Sequence, residues 1–161
     1  MRKFWTLAVT ATIFSIFSTA SAQSVNLLVG TWKLVSASSS TKQDVYGAHP
    51  SGLLTYTLDG RMSVLIADDG RKPLSTDDRL TAPVEEKAGA FTTFVAYAGR
   101  YTFTGKQVVH HVEIASIQNW VNTDLTRDAT LDGDRLTLRG TTPRSRNGAL
   151  QIFTLVWERV K

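Results

Sequence analysis

The stretch Pro50-Ser51-Gly52-Leu53-Leu54-Thr55-Tyr56-Thr57-Leu58-Asp59-Gly60-Arg61-Met62-Ser63 reads as one strand, a tight turn and the start of another. Leu54, Tyr56 and Leu58 recur at every second position, which places them on one face of an extended chain. Asp59-Gly60 supplies the turn, because Asp-Gly suits the positive-φ geometry of short hairpin loops. Met62, Val64 and Ile66 carry the apolar alternation into the second strand.

The same pattern repeats outward in both directions. Asp69-Gly70, Thr104-Gly105 and Asp132-Gly133 mark further turns, and segments rich in Val, Leu, Thr and aromatic residues lie between them. This predicts eight strands, over 29–37, 52–58, 61–67, 97–103, 107–115, 123–131, 135–140 and 150–160. One segment differs. Ser75-Thr76-Asp77-Asp78 and Thr81-Ala82-Pro83 both resemble helix starts, and Glu85 and Glu86 follow where the helix dipole favours acids. Val84, Ala88, Phe91 and Val95 share one helical face, so a helix ending before Gly99 is expected between strands 3 and 4, its apolar face covering one end of the fold. Eight antiparallel strands in sequence order can close on themselves and leave no edge. The expected fold class is therefore mainly β: a closed antiparallel eight-stranded barrel with a helical segment between strands 3 and 4. Such a barrel holds either packed side chains or one small ligand.

Composition narrows the chemistry. The 161 residues include no Cys, which excludes disulfides, thiolate nucleophiles and thiolate zinc sites. A formal charge of +4 with no basic run argues against nucleic-acid binding. Met1-Arg2-Lys3, the uncharged, mostly apolar run from Phe4 to Phe17, and Ala20-Ser21-Ala22 are the three parts of a secretory signal peptide. The expectation is a signal peptide over 1–22 and a barrel domain over 23–161, periplasmic or secreted, with no membrane span after cleavage.

Taking the aromatic faces of the strands as inward places Trp32, Tyr56, Tyr97, Tyr101, Phe103, Phe153 and Trp157 inside, an interior that resembles a ligand pocket. The sixth strand is the most informative. Asp124, Thr126, Asp128 and Thr130 form its wet face, so Arg127 lies on the inward face with Leu125 and Ala129. A buried guanidinium needs a counter-charge. Two partners are expected: Glu113 on the preceding strand, or a ligand carboxylate, phenolate or enolate. The fifth strand leaves two faces open. Hydrophobicity favours Val108, His110, Val112 and Ile114 inside; pairing with Arg127 favours Val109, His111, Glu113 and Ala115. His110 and His111 diverge on a regular strand, so no metal site is expected, nor any cofactor. The candidate ligand-binding set is Tyr56, Tyr97, Tyr101, His111, Glu113, Arg127 and Phe153.

Leu28-Val29-Gly30-Thr31-Trp32 resembles the Gly-x-Trp opening of lipocalins, which implies that Trp32 plugs the closed end of the barrel with Arg159 packed over it. The opening hairpin, Phe94-Val95-Ala96-Tyr97-Ala98-Gly99-Arg100-Tyr101, Val112-Glu113 through Asn119-Trp120-Val121, and Leu131-Asp132-Gly133-Asp134-Arg135-Leu136 resemble the bacterial and fungal lipocalin-like domain family. That resemblance implies a shape rather than an activity. The expected function is an exported barrel binding a small, largely apolar or amphipathic molecule, with an acidic group on Arg127. One alternative is a cofactor-free isomerase, cyclase or hydratase with His111 or Glu113 as base and Arg127 or a tyrosine as oxyanion partner. Another is an exported inhibitor acting through loops such as 38–50. No Gly-x-Ser-x-Gly nucleophile motif is present, so binding is preferred over catalysis.

Overall fold

A computed structural model describes residues 27–143 and 150–161; the expected leader over 1–22 lies outside them. Eight strands follow in order: β1 (Gly30–Ser39), β2 (Ser51–Tyr56), β3 (Arg61–Ala67), β4 (Phe94–Phe103), β5 (Gln107–Ala115), β6 (Asp124–Asp132), β7 (Arg135–Pro143) and β8 (Leu150–Arg159). Each pairs antiparallel with the next, and β8 returns to β1, so the sheet is a closed barrel. This is the expected fold class, with the strands in the expected order. The β2–β3 turn closes with the Thr57 N–H donating to the Arg61 carbonyl at 2.9 Å, and Gly60 takes φ +80° there. That turn starts earlier than predicted, so Leu58 leaves the inward face and is exposed.

The interior is built from the alternating faces. Trp32, Leu34, Leu54, Tyr56, Met62, Val64, Tyr101, Leu136 and Trp157 are buried together. Trp32 and Arg159 sit opposite each other on β1 and β8. The guanidinium lies 4.0 Å from the Trp32 ring centroid and donates to the Val29 and Leu27 carbonyls, each at 2.7 Å. The Trp32 indole N–H donates to the Leu28 carbonyl at 2.8 Å. One end of the barrel is thereby stoppered by an aromatic ring under a cation, a contact worth about 0.5–2 kcal/mol.

The helix α1 spans Val84–Thr92 and starts after Pro83, between β3 and β4. It is shorter than predicted, and its apolar face does not cover the barrel: no helix residue is buried, and Val84 and Phe91 are exposed. The chain turns into β4 at Phe94, so Val95 leaves the helical face and its two other large members have nothing to lie on. No helix forms at Ser75. Its backbone N–H and hydroxyl instead donate to Glu86 Oε2, at 2.8 and 3.0 Å, tying that segment to the first turn of α1.

Candidate ligand cavity and its polar wall

Away from the Trp32 plug, the barrel holds a cavity of about 420 Å³. This volume is in the range that encloses most of a small organic molecule. Tyr97 from β4, Arg127 from β6 and Phe153 from β8 line it because strand alternation turns those positions inward. Thr92, at the end of α1, and Val95, at the start of β4, form part of the rim. Trp120 enters from the 3₁₀ turn Gln118–Trp120 and stands edge-on to Tyr97, with ring centroids 5.8 Å apart. Tyr46 reaches in from the loop before β2.

Arg127 is 9% exposed, opposite Val108 of β5. Its Nη1 donates to the Thr126 carbonyl at 3.0 Å, and among the described residues no carboxylate pairs with it. Space for the side chain comes from Gly140 on β7. A Cβ there would clash with Arg127 Cδ and lie 2.8 Å from its Nη1 and 2.9 Å from the Thr126 carbonyl oxygen, so any other residue would displace the guanidinium and crowd the β6 backbone.

The structure corrects two members of the expected set. Glu113 does not face Arg127. It lies outside the barrel, bonded to Arg61 at 2.5 Å and to Arg100 at 3.3 Å. Since Arg127 pairs with Val108, Glu113 stands five residues further along β5, roughly 17 Å away, and on the opposite face. His111 is also outside. Its Nδ1 lies 2.7 Å from Asp124 Oδ1 and its Nε2 lies 3.2 Å from the Thr102 hydroxyl. The register gives the reason: His111 is opposite Arg100 and Asp124, both outward, whereas His110 is opposite Tyr101 and Leu125, both inward. Directly opposed residues share a face.

His110 therefore occupies the interior, fully buried. Its Nε2 lies 2.7 Å from the Tyr56 hydroxyl and its Nδ1 3.0 Å from the Tyr97 hydroxyl. Burial, with the nearby Arg127 and His111 charges, lowers its pKa to about 3, so the imidazole is neutral at ordinary pH. Burial pushes the Tyr97 phenol up to about 12, against the pull of Arg127. Tyr56 is raised well above its ordinary value, chiefly by burial. Tyr56 and Tyr101 do not line the cavity. Their rings pack 4.6 Å apart, and the Tyr101 hydroxyl donates to the Thr57 carbonyl at 3.0 Å. Of the expected set, the structure brings Tyr97, Arg127 and Phe153 together at the cavity. Tyr46, Trp120 and Gly140 join them without having been singled out for this role. The only sequence signal was that Tyr46 is the sole aromatic ring in its loop and Trp120 the sole ring between β5 and β6.

Comparison with known proteins agrees with this architecture. The model of a family described as a lipocalin-like domain matches residues 29–160. The chain belongs to the lipocalin-like domain family. It is also similar to the 4'-hydroxy-3'-methoxypropiophenone carrier protein of Aspergillus oryzae. The two are 29% identical over 107 residues, covering 62% of this chain and 96% of that protein. That relative is named as a carrier of a small molecule.

Proposed function

We propose that this protein is an exported carrier of a small, largely apolar aromatic molecule, held in the barrel cavity with an acidic or carbonyl oxygen against Arg127. The observation that carries the reading is the buried guanidinium on the cavity wall without a carboxylate partner among the described residues. An uncompensated buried charge costs several kcal/mol, and a ligand oxygen offsets that cost through charge-assisted hydrogen bonds. The apolar rings around it, Trp120 and Phe153, suit the body of such a ligand. The name of the Aspergillus oryzae relative, an aryl ketone carrier, supports the same class. The enzyme alternative required His111 or Glu113 as a base in the cavity, and both stand outside the barrel.

The test is a titration with an aryl ketone and an aryl carboxylate, followed through tryptophan fluorescence, on wild type and Arg127→Met. The variant should lose most of its affinity while its Tm holds or rises, since the change strands no buried carboxylate. Affinity and Tm falling together would make Arg127 a structural residue instead. Export rests on the basic start, the apolar run and Ala20-Ser21-Ala22. The secreted form should begin at or near Gln23 by N-terminal sequencing; a chain retaining Met1 counts against export and leaves the binding reading intact.

A further inference from the structure

We propose that the Tyr56–His110–Tyr97 chain fixes the Tyr97 hydroxyl as a hydrogen-bond donor into the cavity, so that ligands are held through an oxygen bearing no proton of its own, shared between Tyr97 and Arg127. The ligand class is then carbonyl, carboxylate or phenolate compounds. This deepens the carrier reading and rests on it for the existence of a ligand; the proton arrangement itself does not.

A neutral imidazole carries one N–H and one lone pair. His110 sits between two hydroxyls, Tyr56 on Nε2 at 2.7 Å and Tyr97 on Nδ1 at 3.0 Å. One tyrosine must donate to the ring and the other must accept from it. Tyr56 decides which. Its residue is 1% exposed, and among the described residues its hydroxyl has no other hydrogen-bond partner. If Nε2 carried the proton, Tyr56 would accept it, and its own O–H would be left in the core without an acceptor, which buried groups avoid. So Tyr56 donates to Nε2, and the proton resides on Nδ1 and is donated to the Tyr97 oxygen. The Tyr97 hydrogen is thereby released from the chain. Tyr97 lines the cavity, and that is where its free O–H can be used.

Arg127 on the same wall is also a donor and has no acceptor atoms. The polar wall therefore offers two donors from Tyr97 and Arg127. An oxygen without a hydrogen satisfies both. A ligand amine or alcohol would bring a hydrogen that Arg127 cannot accept, and the Tyr97 oxygen already accepts from His110. His110 is a positioning residue here, acting through Tyr97.

Two measurements test this. In the free protein, ¹⁵N chemical shifts of labelled histidine identify the protonated ring nitrogen of His110. Protonated Nδ1 is expected, and protonated Nε2 overturns the proposal whatever binds. The second measurement uses propiophenone, 4-ethylbenzoate and butylbenzene, the last offering no acceptor oxygen, on wild type and Tyr97→Phe. The variant should bind both oxygen-bearing probes about tenfold more weakly and butylbenzene unchanged. Unchanged affinity for the oxygen-bearing probes, or equal weakening of butylbenzene, overturns the donor role. If wild type binds none of the three, the carrier reading fails, while the nitrogen shifts still decide the tautomer.

Discussion

Two tryptophans of similar burial differ in how the indole N–H is served. Trp32 and Trp157 are both 0% exposed. Trp32 donates to Leu28 and lies under Arg159; Trp157 Nε1 has no hydrogen-bond partner among the described residues. Replacing either by Phe removes a similar volume, but only Trp32→Phe also orphans a carbonyl and weakens a cation–π contact. It should therefore cost about 1–2 kcal/mol more than Trp157→Phe in denaturant unfolding. Equal costs would mean the Leu28 bond and the Arg159 contact contribute nothing net. Gly140 gives a complementary residue-level prediction. Gly140→Ala puts a methyl group where Arg127 Cδ and Nη1 now lie. The guanidinium must move off the wall, so affinity for an aryl carboxylate should fall about tenfold or more while the β7–β8 pairing persists by circular dichroism. Retained affinity would show that Arg127 does not hold the ligand from its present position.

At the level of elements, the helix and the fifth strand show what alternation and periodicity can and cannot say. The α1 periodicity was legible because Val84, Ala88 and Phe91 recur at helical spacing and Glu85 and Glu86 mark its start. What the face meets was not legible, because that depends on where the chain turns into β4. The role of Glu86 was equally hidden: its carboxylate holds Ser75, eleven residues earlier. Glu86→Ala should release the segment between β3 and α1, seen as faster cleavage there by a protease at native pH, with Tm changed little. Unaltered cleavage would mean other contacts hold that segment. On β5 both faces are apolar enough to be core, so the period alone left His110 and His111 open. The deciding information was cross-strand. Asp124 on the wet face of β6 stands opposite His111, but that register follows from the β5–β6 connection, which contains a 3₁₀ turn rather than a two-residue hairpin.

For the whole molecule, closure made the strand count readable: eight alternating segments, several of them separated by glycine turns, leave few other solutions. The cavity was less readable, since Tyr46 and Trp120 arrive from loops whose paths no strand pattern dictates. Closure also puts one titratable group, His110, where its charge is felt by the global stability. It touches tyrosines from β2 and β4 at once, so protonating it disrupts the core joining three strands. Its folded pKa is about 3 against an ordinary value of 6.5. Above pH 6.5 neither state binds this proton and the stability is fully present. As pH falls below 6.5 the unfolded chain takes up the proton and the folded barrel does not, so stability is lost at up to about 1.4 kcal/mol per pH unit. Near pH 3 the folded state titrates too, and this loss ends after on the order of 5 kcal/mol. Surface carboxylates add their own acid dependence, so the comparison is between wild type and His110→Gln, unfolded by denaturant at intervals from pH 7 to pH 4. The wild type should lose stability more steeply than the variant across that window. Parallel curves would place the acid sensitivity in the carboxylates and leave His110 without a part in it.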